Sequence, residues 1–502
     1  MLLLLALPAV VQAQLTFTTN NGAITITGYT GPVGPVVIPG TTNGYPITSI
    51  GTNAFYNNQS VTSVTIGTNV TSIGGYAFCE SGLTSVTIPS SVTSIGEAAF
   101  GLCMSLTNVI ICSGVTNIGE GAFAVCTSLT SITIPGSVSS IGINTFDNCA
   151  NLFSVVISNG VSSIGDGAFY FCTSLNKITI GDSVTNIGTV AFQNCTSLSM
   201  IKIPEGLTSI QQETFVNCRS LTNVIIGTNV TSIGLSAFYN CGLVNLTIPA
   251  GATSIGDFAF AYCGNLQNVT LLGNLTNGGG SMFSNCTNLA SVSLSDNLTS
   301  IVDGMFENCF GLTNLIVPSS VTNIGDYAFE LSGLTSITIL GNVTSIGDGA
   351  FYGCPLTSIM IPNSVTSIGF DAFGFSFSLT SVYFTGNTPT PTNDSSVFSD
   401  DTNVTAYYLP GAIGWGSFFD GIPAVLWNPQ VQNDASFGVQ NNRFGFNITG
   451  TSNLVIVVEA STNLANPIWS PVATNTLTGG TSYFSDPQWT NYPGRFYRFS
   501  SP

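Results

Sequence analysis

Apolar residues return along this chain with two alternating spacings. From Leu83 the sequence reads LTSVTIPSSVTSIGEAAFGLCMS, and from Leu129 it reads LTSITIPGSVSSIGINTFDNCAN, so apolar residues fall at unit positions 1, 4, 6, 10, 13 and 18. The V-x-I step at positions 4 and 6 is strand alternation, whereas the A-F-x-x-C segment has the spacing of a short helical turn. Successive units begin at Leu106, Leu129, Leu152, Leu175, Leu198 and Leu221, 23 residues apart, and a 22-residue step follows from Leu221 to Leu243. A period in this range predicts a solenoid in which each unit forms one coil and no unit folds singly. Ordering the backbone costs roughly 1–2 kcal/mol per residue. Six buried apolar side chains return only about 1.5–3 kcal/mol each, so stacking on neighbours must supply the rest.

Within a coil the pattern predicts a strand over L-x-x-V-x-I, a corner at Pro or Gly, and a second short extended segment at V-T-S-I. A glycine-permitted bend and a turn of 3₁₀ or α-helix around Ala-Phe complete it. Stacking then lines up identical strands as a parallel sheet. The position-18 residue recurs as Phe55, Phe78, Phe100 and onward to Phe351 and Phe373, which predicts an aromatic spine inside about fifteen coils spanning residues 47–399.

An open terminal coil would expose core and strand edge, so caps are expected at both ends. Residues 15–46 hold LTFTT, then Asn20-Asn21-Gly22, then AITITGY, which is hairpin chemistry and reads as an N-terminal β cap. Residues 400–428 form the expected C-terminal cap, with Trp415 and Trp427 over the last coil. The period is gone in 429–502, where strands near Arg443–Ile448, Leu454–Ala460 and Arg495–Ser500 fit a small β-sandwich module. The expected fold class is thus a repeat solenoid, mainly β with short helical turns and a parallel strand face, followed by that module.

The elements L-x-x-V-x-I-P, I-G-x-x-A-F and F-x-x-C, as in Leu83–Pro89, Ile95–Phe100 and Phe100–Cys103, resemble the BspA-like class of bacterial leucine-rich repeats over about residues 47–399. The resemblance implies a curved β-solenoid with short helices on a secreted or surface-exposed protein. Some members are adhesins for host matrix proteins or other cells; the resemblance implies no particular ligand.

Charge narrows the choice of partner. Only six Lys and Arg stand against 23 Asp and Glu, a net charge of −17. The excess lies in the first 429 residues, whose basic side chains are Lys177, Lys202 and Arg219 alone. Such a field repels phosphate backbones and anionic membranes, so nucleic acid is not an expected partner. Met1–Gln14 reads MLLLLALPAVVQAQ, and the Val11-Gln12-Ala13 end of this apolar run suits a signal peptide of residues 1–13 cleaved after Ala13, although a basic n-region is absent. No later run reaches the roughly 18 apolar residues of a membrane span, so a secreted or cell-surface protein without a transmembrane segment is expected.

Catalytic chemistry is poorly supplied. There is no His, which removes the usual general base and the central member of triads and common zinc sites. No phosphate loop is formed, and no cofactor or metal site is expected. Asp166, Asp257, Asp326 and Asp348 recur after I-G, which suits a solvated bend. Asp400-Asp401, with help from Asp394, is a weak candidate for calcium, since the loop lacks EF-hand spacing. Eleven cysteines stand three residues after the ladder Phe, from Cys103 to Cys354, while Cys79 and Cys112 lie off the column. One thiol per coil reads first as a buried small-residue ladder, with disulfides between adjacent coils or metal binding as the alternatives.

Two surface features remain as candidate sites. At unit position 5 the strand face varies, with Lys202, Ile225, Ile316, Met360 and Tyr383 pointing outward, and a protein ligand such as a matrix or cell-surface component is the first expected partner. Position 11 carries Thr71, Thr93, Thr116, Thr185, Thr231, Thr299, Thr344 and Thr366, which predict a hydroxyl ladder. That ladder either bonds coil to coil or binds polysaccharide, which makes a glycan the second candidate partner. An enzyme is the third and weakest reading.

Overall fold

A computed structural model describes residues 15–273, 275–391, 396–401 and 403–500. The signal peptide expected over residues 1–13, and Asp394, lie outside the described residues. The fold is a β-solenoid of about sixteen turns with a C-terminal sheet module. The chain divides into two compact units, one made of Met1–Leu298 and Val302–Leu312, the other of Thr299–Ile301 and Thr313–Pro502.

In the first unit Leu15–Asn20 pairs antiparallel with Ala23–Tyr29 through a turn in which Asn21 and Gly22 both have positive φ. Parallel pairing then takes over. Ser131–Ile134 pairs in register with Ser154–Ile157, and that strand with Lys177–Ile180, so that Ile132, Val155 and Ile178 stack in one column. The second segments, such as Ser94–Ile95, Asn117–Ile118 and Ser140–Ile141, run parallel in a separate sheet. Alternation decides which side chains enter the core, and Ser131–Ile134 runs exposed, buried, exposed, buried.

The phenylalanine rings stack face to face. Centroids lie 5.2 Å apart from Phe100 to Phe123 with planes 2° from parallel, and 5.3 Å apart from Phe169 to Phe192, also at 2°. Within the second unit the ladder runs Phe329, Phe351, Phe373 and then Phe398, a rung beyond the regular repeat, 5.5 Å from Phe373. Each of these rings is buried.

The turn around Ala-Phe is not helical, and this corrects the sequence expectation. Among the described residues the one helix is a 3₁₀ turn at Trp489–Asn491. Two residues per turn, at unit positions 16 and 20, take left-handed φ, as do Asn144 (51°) and Asn148 (55°). That conformation interrupts a helix. Amide groups alternate instead: Asn144 and Phe146 donate to the next coil at Asp166 and Ala168, while Asp147 closes back on Asn144. Local spacing alone misleads here because half of the turn's hydrogen bonds leave the coil. The I-G glycine is needed for close approach rather than for positive φ, since a Cβ on Gly96 would sit 2.5 Å from the backbone nitrogen of Gly75.

At the end of the second unit, Thr405–Tyr408 and Ile422–Leu426 continue the parallel pairing. The module is antiparallel. Arg443–Thr449 pairs with Thr481–Asp486 in one sheet, and Val455–Ser461 is flanked by Ser470–Thr476 and Phe496–Ser500 in the other. Phe446, Ile448, Leu454, Ile456, Val458, Leu477 and Phe484 fill the core between them.

Candidate functional site

The strand face is built of parallel strands with one outward residue per coil at position 5. Lys202, Ile225, Ile316 and Met360 are exposed there, Ile316 to 63%. Lys202 reaches the Asp182 carboxylate at 3.7 Å, with both groups in solvent. Ile110 and Val156, which the sequence reading did not single out, are exposed at the same unit position. Thr87, Thr133, Thr179 and Thr247 occupy equivalent strand positions, all exposed.

Tyr383 departs from its expected place in solvent. It stands in the outward slot but is only 7% exposed, stacked on Tyr407 at 5.1 Å. Burial pushes its phenol up to about 12. The cause is the end of the repeat: Trp427, Phe499 and Ser500 line the same recess of about 330 Å³ as Tyr383 and Met360. Nothing in the repeat pattern records this cover.

All eight ladder threonines are exposed. The hydroxyl protons of seven of them nevertheless go to the preceding coil. Thr93 Oγ1 donates to the carbonyl of Thr71 at 3.1 Å, Thr116 to Thr93 at 3.0 Å, Thr231 to Thr208 at 3.2 Å, and Thr366 to Thr344 at 3.1 Å. Thr71, Thr185 and Thr344 do the same toward Thr48, Ser162 and Thr322, and the carbonyl of Thr299 accepts from Thr322. The ladder therefore offers lone pairs to solvent while its donors serve coil-to-coil cohesion.

The cysteine column works the same way in the interior. Cys126 Sγ donates to the Phe100 carbonyl at 3.2 Å, Cys195 to Phe169 at 3.2 Å, and Cys354 to Phe329 at 3.1 Å. The column includes serine as well, since Ser376 Oγ donates to Phe351 O at 3.1 Å. Burial raises the thiols, Cys149, Cys263, Cys309 and Cys354 to about 12, which keeps them protonated and unreactive at neutral pH. Cys79, off the column, is buried as well, and Cys112 is partly buried.

The recurrent aspartates are coil caps. Asp166 Oδ1 accepts from the Thr189 amide at 2.8 Å, Asp257 from Gly280 at 2.8 Å, Asp326 from Asp348 at 2.8 Å, and Asp348 from Phe370 at 2.7 Å. Asp401 is different. Its carboxylate is buried, and burial raises it to about 6, with the Ser376 amide opposing the rise and Asp400 adding to it. Among the described residues no group of three or more His, Cys, Asp or Glu is placed to hold a metal. No helix among them is long and apolar enough to cross a membrane.

The module bears an open concavity of about 500 Å³ lined by Phe437, Phe444, Leu464, Trp469 and Arg498 among others. Arg498 lies over the Trp469 ring at 4.7 Å and pairs with Glu459 at 2.6 Å.

Comparison with known proteins follows the repeat. The profile described as BspA type leucine rich repeat region (6 copies) matches residues 42–153, 139–251, 213–335 and 322–419. No curated protein matches the chain. A crystal structure of a leucine-rich repeat protein from Bacteroides ovatus is 27% identical with a TM-score of 0.59, covering 83% of this chain and 98% of that one. A leucine rich cell surface protein from Faecalibacterium prausnitzii is 24% identical over 74% of this chain and 94% of its own, with a TM-score of 0.30. A T. pallidum leucine rich repeat protein is 27% identical over 47% of this chain and 88% of its own, also at 0.30. The profile matches together span most of the chain, from the first coils to the last: the chain belongs to the BspA-type leucine-rich repeat family.

Proposed function

We propose that the protein is a non-enzymatic, adhesin-like interaction scaffold outside the cell that binds a protein partner through its strand face. The observation that supports this most directly is the position-5 column. Threonine satisfies the coil at Thr87, Thr133 and Thr179, yet Ile110, Val156, Ile225, Ile316 and Met360 hold apolar side chains in water in the same slot. Exposed apolar side chains gain nothing for the isolated fold, while a partner that buries them gains about 25 cal/mol per Å² covered. The coil-to-coil hydroxyl bonds of the threonine ladder favour this face over the ladder. The carboxylates at the bends cap backbone amides, which supports a non-catalytic role.

The test is a panel of purified extracellular-matrix proteins and a glycan array, both probed with the full chain. The expected outcome is saturable binding to a protein that is lost in the Ile225→Ser, Ile316→Ser, Met360→Ser variant. Saturable glycan binding with no protein partner overturns the reading, as does retention of the protein in the cytosol of its source cell.

A further inference from the structure

A second surface stands out on the turn side of the coils in the unit containing Thr313–Pro502. Asparagine or glycine suits the left-handed slots, as at Asn194, Asn217, Asn285 and Gly349, but bulky residues occupy them in several coils, among them Phe171, Phe258 and Tyr262 in the other unit. Tyr327, Leu331 and Phe375 fill the corresponding slots with φ of 56°, 52° and 57°. A bulky side chain there is strained. These three are also 49%, 41% and 37% exposed. The residue choice is therefore unfavourable for the fold twice over, although asparagine is in use elsewhere in the same chain.

The three belong to one patch. The Tyr327 ring lies over Gly349 and the Leu331 side chain over Gly353, where an added Cβ would meet them at 2.7 and 2.6 Å. Tyr352, in that glycine-bearing coil, has its ring centroid 5.1 Å from Phe375, and Phe377, 72% exposed, is 5.8 Å from Phe375. The turns that carry these rings also carry Asp326, Glu330, Asp348 and Asp371, and no Lys or Arg occurs between Arg219 and Arg443. Ring faces and carboxylates attract the same kind of group, a cation.

We infer that this patch binds a Lys- and Arg-rich segment of a partner protein, with guanidinium and ammonium groups over the rings and against the carboxylates. Charge selects this occupant. A second copy of this chain carries the same net −17 and is repelled, as is an anionic membrane. The inference is independent of the strand-face reading, because it uses different residues.

The experiment titrates the full chain with an octa-arginine peptide at physiological salt. The Tyr327→Asn, Phe375→Asn, Phe377→Ser variant keeps every charge and is expected to bind about fivefold or more weakly. Its thermal midpoint is expected to hold or rise, because asparagine suits the left-handed slots. Two controls are expected to bind as the wild type does: Phe258→Asn, Tyr262→Asn, which changes left-handed aromatics in the other unit, and the strand-face variant described above. Absence of peptide binding by the wild type overturns the inference. So does undiminished binding by the aromatic variant, which would leave diffuse charge as the only attraction. A midpoint that falls together with affinity would make the rings structural, and self-association of the wild type that the variant abolishes would make the occupant a second copy; either result overturns it.

Discussion

In the coils, the repeated side-chain donors are neutral and bond one turn away: thiol to phenylalanine carbonyl, threonine hydroxyl to threonine carbonyl. At the C-terminal end the chain buries ionisable groups instead. Asp486 is nearly inaccessible and accepts from Arg495 Nη1 at 2.6 Å and from the Tyr497 hydroxyl at 2.8 Å, while Asp401 is 6% exposed. The difference follows from periodicity. Rungs repeat at the spacing of the ring ladder, 5.2 Å between Phe100 and Phe123. A column of like ionised groups at that separation would repel at every step. A repeated interior must therefore be built from neutral pairs, and only a region that occurs once can use a specific ion pair. The overall charged content of 6% is the compositional trace of that rule.

The largest test of this contrast removes a rung. Phe192→Ala is expected to cost about 3–5 kcal/mol, read as a lower midpoint in far-UV circular dichroism. Tryptophan emission reports the other region alone, since Trp415, Trp427, Trp469 and Trp489 all lie beyond the regular coils, and its transition is expected to stay in place. A common shift of both signals would break the contrast.

A smaller effect sharpens it from the other side. Burial raises Asp401 from the ordinary 3.8 to about 6, so between those values the native state holds more protons than the unfolded one. Stability contributed by the protonated form is thus present below about pH 4 and is lost as pH rises through 6. Asp401→Asn is expected to remove that slope and to gain on the order of 1–2 kcal/mol at pH 7. Urea unfolding at several pH values checks both; an unchanged slope would show that Asp401 does not titrate in this window.

The smallest change is expected inside the thiol column. Cys195→Ser should alter stability by less than about 1 kcal/mol, because Ser376 already makes the same bond to a phenylalanine carbonyl. Chemical denaturation measures the difference, and a loss several times larger would mean that thiol bulk, not the hydrogen bond, holds the column.

The period made the coils, the phenylalanine ladder and the parallel strand face legible in the sequence, because each contact is repeated a fixed number of residues later. Contacts that occur once were hidden. Phe398 extends the ladder beyond the regular repeat, and Tyr383 is covered by Trp427 and by Phe499 and Ser500, the last two more than a hundred positions away. The turn was misread as helical because its alternating amides bond to the next coil, a distinction that i, i+3 spacing does not carry. The signal was nonetheless present in the asparagines and glycines at positions 16 and 20, four residues apart. Of the candidate site residues, Lys202, Ile225, Ile316 and Met360 face solvent, as the strand alternation predicts.

The ladder of neutral bonds also bears on how such a gene can change. Every rung presents the same donors to one neighbour and the same acceptors to the other, so in-frame loss or duplication of one whole repeat rejoins surfaces that already match. Recombination between the coding stretches of two repeats can therefore lengthen or shorten the protein while preserving its interior, and reach becomes a trait open to selection.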